Sequence, residues 1–152
     1  MWQILNKPQY FFKPSLLLYR LRATPKTLHT FETAKLPWGP EIRVRPSELI
    51  GQALYRSGYF DLIVSEIIWR LLAQGDCCID VGANIGYITS LMATKVGKSG
   101  KVTAFEPNPS TFEDLEHNVK LWTNSADVAA IDIYQLAVSN QSGTALFNVG
   151  SD

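Results

Sequence analysis

Cysteine is scarce in this chain: there are two, Cys77 and Cys78, and they are adjacent. With none elsewhere, there is no spacing for a zinc site and no ordinary disulfide framework. No metal site is expected. Inside an apolar run the pair reads as small buried residues, which fits a reducing compartment. Long apolar runs are absent too; none approaches the roughly 18 residues of a membrane span. The leading stretch MWQILNKPQYFFKPSLLLYRLR lacks signal-peptide order, because Lys7, Lys13 and two prolines interrupt its apolar residues. Cytoplasmic residence is the expectation. Net charge is also missing, with 14 basic residues against 14 acidic. No nucleic-acid partner is expected.

The charge balance hides an asymmetry. Residues 1–56 hold nine Lys and Arg against three acids, and residues 57–152 hold five against eleven. A basic leading segment suits an anionic surface, membrane or acidic substrate, and equally an ordinary solvated face that offsets the acidic half. The chain has 152 residues, 46% of them apolar, enough for a globular core.

The first 22 residues mix Trp2, Tyr10, Phe11, Phe12 and Leu16 to Leu18 with Lys7, Lys13, Arg20 and Arg22. Pro14 can open a short helix through Leu21. Aromatic plus basic content allows peripheral membrane contact through this arm. Packing on its own domain is favoured, because the prolines prevent a sustained amphipathic face. From Thr27 to Pro46, two strands flank a Pro37-Trp38-Gly39-Pro40 turn, and Ile42 and Val44 alternate with Arg43 and Arg45. His29 sits there without a nearby acid and reads as structural rather than as a base. Asp61 can cap a helix to about Ala73, whose apolar face (Leu62, Ile63, Ile67, Ile68, Leu71, Leu72) is expected to cover a central sheet.

A short apolar strand follows, Cys77 to Val81, and runs into Gly82-Ala83-Asn84-Ile85-Gly86 and a helix that stops at Gly97. This order puts backbone N–H groups and a positive helix end at the strand's carboxyl terminus, where open α/β sheets bind ligands. Val102 to Phe105 form a second strand that ends in Glu106, twenty residues after Gly86. An acid there is placed to accept hydrogen bonds from two ribose hydroxyls. Pro107-Asn108-Pro109 breaks the strand, Ser110-x-x-Glu113 reads as a capping box, and the helix to Trp122 turns Phe112, Leu115, Val119 and Trp122 to one side. A third strand, Ile131 to Val138, and a hairpin arm, Ala145 to Val149, follow. Strands alternating with helices imply a parallel sheet.

The loop spacing is not that of a nicotinamide fingerprint, which reads G-x-G-x-x-G. Asp80 would also repel a pyrophosphate, whereas a cationic sulfonium with an amino group suits it. The pattern D-x-G-x-N-x-G with a strand-end acid resembles the first motifs of class I S-adenosylmethionine-dependent methyltransferases. The wording DVGANIGYIT followed by VTAFEPNP resembles the FkbM family of O-methyltransferases. The resemblance is strongest from Gly75 to Val119 and continues through QLAVSNQSGTALF.

The resemblance implies an α/β fold: an incomplete Rossmann-like class I methyltransferase sheet, with the first three parallel strands and flanking helices, preceded by an N-terminal β-hairpin/helix extension. Residues 1–56 would be that extension, and 57–152 the N-terminal half of the cofactor-binding domain. S-adenosylmethionine is the implied cofactor. Asp80 would face its methionine end. Gly82, Ala83, Asn84 and Gly86 would pass along the methionine and ribose, and Tyr87 would start the helix over the cofactor. Glu106 would hold the ribose hydroxyls, with Pro107 and Asn108 beside the adenine. Ala137 would offer a backbone contact where many relatives place an acid. No side chain is assigned as catalytic base.

The expected activity is methyl transfer to a hydroxyl of a sugar, glycolipid or natural product, the acceptor being a small-molecule, carbohydrate or lipid-linked hydroxyl. The alternative is a non-catalytic cofactor-binding or partner-docking module derived from such an enzyme. Class I sheets run in an order resembling 3-2-1-4-5-7-6, so a chain that stops after three strands is expected to be a fragment, inactive alone. Cys77 to Val81 would then form an open edge prone to self-association.

Overall fold

In the computed structural model, which describes residues 30–123 and 127–144, the expected hairpin is built from β1 (Glu32–Lys35) and β2 (Glu41–Val44). The strands are antiparallel, from Glu32 opposite Val44 to Lys35 opposite Glu41. Their turn closes when the Leu36 N–H donates to the Pro40 carbonyl (2.9 Å) and the Gly39 N–H to the Leu36 carbonyl (3.0 Å). Ala34, Leu36, Ile42 and Val44 are buried. The intervening Arg43 and the following Arg45 instead lay their guanidinium groups 4.1 and 4.8 Å from the centre of the Phe31 ring. The leading arm with its helix from Pro14 to Leu21, His29, and the closing arm from Ala145 to Val149 lie outside the described residues.

A helix that the sequence reading omits comes next: α1 (Leu49–Ser57), ended by Gly58 in the left-handed region at φ 71°. Gly51 faces the chain at Arg45 so closely that a Cβ there would lie 2.0 Å from the Arg45 carbonyl oxygen. A glycine inside a helix argues against the helix by propensity; here the close backbone approach requires it. Asp61 caps α2 (Leu62–Leu71) as expected, its Oδ1 accepting from the Val64 N–H at 3.1 Å.

The expectation that α2 covers the sheet with its apolar side is corrected. Ile63, Ile67 and Leu71 are exposed, Leu71 by 76%, and Leu72 just past the helix is the residue that packs on the sheet's core. Leu62, Ile63, Val64, Ile67, Ile68, Trp69 and Leu71 run around the helix rather than along one stripe, so one contact face cannot take them all. The described residues fall into two compact units that divide between Ile67 and Ile68.

The second unit holds the parallel sheet. Its elements are β3 (Cys77–Val81), α3 (Tyr87–Val96), β4 (Lys101–Phe105), α4 (Pro109–Thr123) and β5 (Ala130–Tyr134). The strand order is β3-β4-β5, all parallel, with Asp80 beside Ala104 and Ala104 beside Ile133. This is the order expected for the first three strands of a class I sheet. Cys78, Ala93, Val96, Val102 and Ala129 form the core, with Leu72, Met92, Val128 and Ile131 against it. The other face carries the Lys101–Asp132 ion pair (2.7 Å) and the stacked Phe105 and Tyr134 rings, 5.4 Å apart.

Three details differ from expectation. Cys78 is buried but Cys77 is exposed, because adjacent strand residues point to opposite faces. Burial and the nearby Asp76 push the Cys78 thiol up, so it remains a neutral core group. The cap of α4 is Asn108, not Ser110: the Asn108 Oδ1 accepts from the N–H groups of Ser110 (3.0 Å) and Thr111 (3.4 Å). Pro109 takes the first helical position, where its missing N–H costs nothing. Strand β5 stops at Tyr134 rather than Val138, so Ala137 lies in an exposed irregular stretch.

Among the described strands β3 pairs with β4 alone, leaving its other side an edge, and Ile79 and Val81 are 67% and 60% exposed. No helix among the described residues is long and apolar enough to cross a membrane.

Candidate functional site

Most of the candidate ligand-binding residues gather at the carboxyl ends of β3 and β4. Beyond Val81 the chain turns through three residues of positive φ in five: Gly82 (82°), Asn84 (51°) and Gly86 (95°). Asparagine tolerates this region better than other side-chain-bearing residues because its short amide bonds locally. Here the Asn84 Oδ1 accepts from the Ile85 N–H at 2.8 Å. The N–H groups of Gly82 and Ala83 both donate to the Phe105 carbonyl at 2.9 Å, which anchors the loop on the neighbouring strand.

Glu106 finishes the anchoring. It is buried, and its two carboxylate oxygens serve two segments: Oε2 accepts from the Asn84 N–H and Oε1 from the Asn108 N–H, each at 2.9 Å. The residue expected to hold a ribose thus also ties the glycine loop to the start of α4. Its own N–H donates to the Tyr134 carbonyl at 3.1 Å, so β5 enters the same frame.

The loop is also held from behind. Asn118 of α4 is fully buried and donates its Nδ2 to the Ile85 carbonyl at 2.9 Å. A Cβ on Gly86 would lie 2.7 Å from the Trp122 ring and 2.8 Å from Leu115. A Cβ on Gly82 would meet nothing within 4 Å. One glycine is therefore fixed by packing; the other lines open space on the loop's outer side.

Asp80, the last inward residue of β3 before the loop, is buried and accepts from the Thr89 hydroxyl through Oδ2 at 2.6 Å. The Thr89 backbone N–H acts on it too. Helix α3 begins after Gly86, which has no side chain to cap it, so the strand's carboxylate serves an N–H of the first turn instead. Burial, and less strongly the Glu106 charge, push the Asp80 carboxyl above its ordinary range, against the Thr89 hydrogen bonds that pull it down. The fold thus holds this proton more tightly than the unfolded chain does. Asp80 supports the fold most below its ordinary pKa, and that support is lost as pH rises through the raised value.

The sequence-predicted residues Asp80, Gly82, Ala83, Asn84, Gly86, Glu106, Pro107 and Asn108 come together here. Tyr87 is buried at the start of α3, and Ala137 lies three residues past the end of β5. The sequence reading missed Thr89 and Asn118. Asn118 had a signal, a polar residue within the stripe Leu115, Val119 and Trp122. Among the described residues no cluster of His, Cys, Asp and Glu could hold a metal.

The donor set has a definite character. Two buried carboxylates and a loop with one open side suit a cationic ligand that carries hydroxyls, and they oppose an anionic one. S-adenosylmethionine, with its sulfonium, amino group and ribose, fits that set.

Residues 80–152 match the sequence pattern described as the Methyltransferase FkbM domain. No curated protein matches the chain. Among solved structures, a SAM-dependent O-methyltransferase from Thermotoga maritima is 26% identical over 66% of this chain and 39% of that one, with a TM-score of 0.42. Wild-type Trm5b from Pyrococcus abyssi is 17% identical over 73% of this chain and 30% of that one, with a TM-score of 0.49. Aeropyrum pernix fibrillarin, solved with natively bound S-adenosyl-L-methionine, is 17% identical over 74% and 43%, with a TM-score of 0.41. This chain spans 30% to 43% of the length of these three structures. All three scores lie below 0.5, so the strand order and the family match carry the assignment. Residues 80–152, the stretch that holds Asp80, the glycine loop and Glu106, thus match the methyltransferase FkbM domain, and the parallel strands run in the order β3-β4-β5 of a class I methyltransferase sheet.

Proposed function

We propose that this chain binds S-adenosylmethionine and supplies the cofactor-binding half of an O-methyltransferase acting on a hydroxyl of a sugar, glycolipid or natural product. The observation that carries the reading is Glu106, a buried strand-end carboxylate bonded to the glycine loop at Asn84 and facing the buried Asp80 across the ends of two parallel strands.

The cofactor, when bound, supplies a methyl group on a sulfonium that is already a good leaving group. The chain's part is alignment and exclusion of water. Asp80 gives a counter-charge for the amino and sulfonium end. The loop from Gly82 to Gly86 passes along the ligand, with Gly82 on the open side. Glu106 accepts from ribose hydroxyls with lone pairs that its backbone partners leave over. Pro107 and Asn108 border the adenine; the Asn108 side chain, occupied in capping α4, contributes by position. Ala137 offers backbone.

Calorimetric titration with S-adenosylmethionine tests the reading, followed by a radiolabelled methyl-transfer screen over hydroxyl acceptors. Gly82→Val is expected to abolish binding. A Cβ at this position meets nothing within 4 Å, so the main cost to the folded state should be backbone strain, about 1–2 kcal/mol, and circular dichroism should be unchanged. Normal affinity in this variant would mean that the ligand does not run past Gly82.

A second reading, a non-catalytic cofactor-binding or partner-docking module, draws on the open edge of β3 with its exposed Ile79 and Val81. Cofactor binding without turnover on any acceptor favours it. The same edge is expected to pair copies of this chain with one another; light scattering that finds a monodisperse monomer would exclude this.

A further inference from the structure

The Thr89 hydroxyl is fully buried, points back across the loop at the end of β3, and meets Asp80 Oδ2 at 2.6 Å. We propose that Thr89 is a positioning residue of the cofactor site, fixing the Asp80 carboxylate and keeping it charged for a cationic ligand. The inference rests on the cofactor reading given above and adds to it the residue that sets the charge of the site.

The physical argument is a competition. Asp80 sits in a buried place where an anion is costly. Glu106, at the end of β4, is the charged group that acts on it and makes a second negative charge costlier still. From α3 the opposing influence comes from Thr89 alone, which donates its hydroxyl and its backbone N–H. The backbone group stays whatever the side chain is; the hydroxyl is the part that substitution can remove. Without it the carboxyl keeps its proton to higher pH, and it is also free to rotate. A protonated Asp80 offers no counter-charge to a sulfonium or an ammonium.

A hydroxyl on an otherwise apolar helix face could serve only to satisfy itself against α3. Ser90 does this one position on, donating to the Tyr87 carbonyl at 2.8 Å, and Thr94 likewise donates to the Ser90 carbonyl at 2.8 Å. Thr89 differs because its acceptor is not on its own helix but is the acid before the glycine loop, nine residues earlier.

The test is a titration of residues 1–152 with S-adenosylmethionine at several pH values, in wild type, Thr89→Val and Thr89→Ser. Valine keeps the shape and removes the donor; serine keeps the donor. The affinity of Thr89→Val is expected to fall about tenfold or more at the acid end, the size of a lost hydrogen bond to a charged group. The fall should shrink as pH rises, and Thr89→Ser should restore the wild-type profile. Carbon-13 NMR of the Asp80 carboxyl in the ligand-free protein is expected to show its titration moved upward in Thr89→Val. Thr89→Ala serves in the same way if valine is not accommodated. A Thr89→Val profile that parallels wild type, or an unmoved Asp80 titration, overturns the positioning role while leaving the cofactor reading intact. A wild-type chain that binds nothing at any pH overturns both.

Discussion

Gly86→Ala should cost the second unit about 2–5 kcal/mol, a large share of the total for a small domain. Two effects combine. At φ 95° any residue with a Cβ is strained by about 1–2 kcal/mol. The new methyl would also lie 2.7 Å from Trp122 and 2.8 Å from Leu115, and such overpacking adds about 1–3 kcal/mol. Both neighbours are buried on α4, so neither can swing into solvent. Urea denaturation checks the value. A midpoint equal to that of wild type would show that α4 yields easily and that the loop is not clamped from behind. The contrast with Gly82→Val is the point of comparison: Gly86 is expected to matter to the fold, Gly82 to the proposed ligand.

Glu106→Ala should cost stability and binding together. Two backbone donors, the N–H groups of Asn84 and Asn108, lose their acceptor. At about 1–3 kcal/mol for each buried donor left unpaired, less what water recovers, the loss is about 2–4 kcal/mol. Affinity for S-adenosylmethionine should fall by about 1.5–3 kcal/mol, the range for a hydrogen bond to a charged group. Glu106→Gln separates the two parts, since its amide oxygen can serve one of the donors and its NH₂ cannot serve the other. The glutamine variant should recover part of the stability while binding stays weak. If thermal melting and titration both match wild type in Glu106→Ala, neither the clamp nor the ribose contact exists.

The βαβαβ order and the acid-glycine-acid site were legible because their signals are local. Asp80, Gly82, Asn84 and Gly86 lie within seven residues, and the short apolar runs on either side leave few ways to thread them. What escaped depends on particular contacts that spacing and residue type do not show. Asn118 reaches Ile85 across 33 positions. Gly51, which disguises α1, is explained by a carbonyl outside that helix. Ser110 looks like a cap, but Asn108, two residues earlier and just ahead of a proline, takes the role by accepting from the Ser110 and Thr111 N–H groups. The apolar residues of α2 gave its periodicity but not its contacts. Helical spacing says which residues share a side; it does not say that the side is covered.

The neighbours in the parallel sheet are also neighbours in time. Each strand pairs with the one before it in the chain, Cys77 with Lys101 and Lys101 with Ala130. No pairing among the described strands waits for a later segment to slip in between. A chain leaving the ribosome can therefore dock β4 on β3 and then β5 on β4, closing short loops whose entropic cost grows only slowly with length. The glycine loop gains its last tethers, Asn118 and Trp122, as α4 emerges. By then Asp80 and Glu106 already stand on paired strands. Built in that order, the side of β3 left open among the described strands would be the oldest surface of the sheet, and the one unpaired longest while the rest is built.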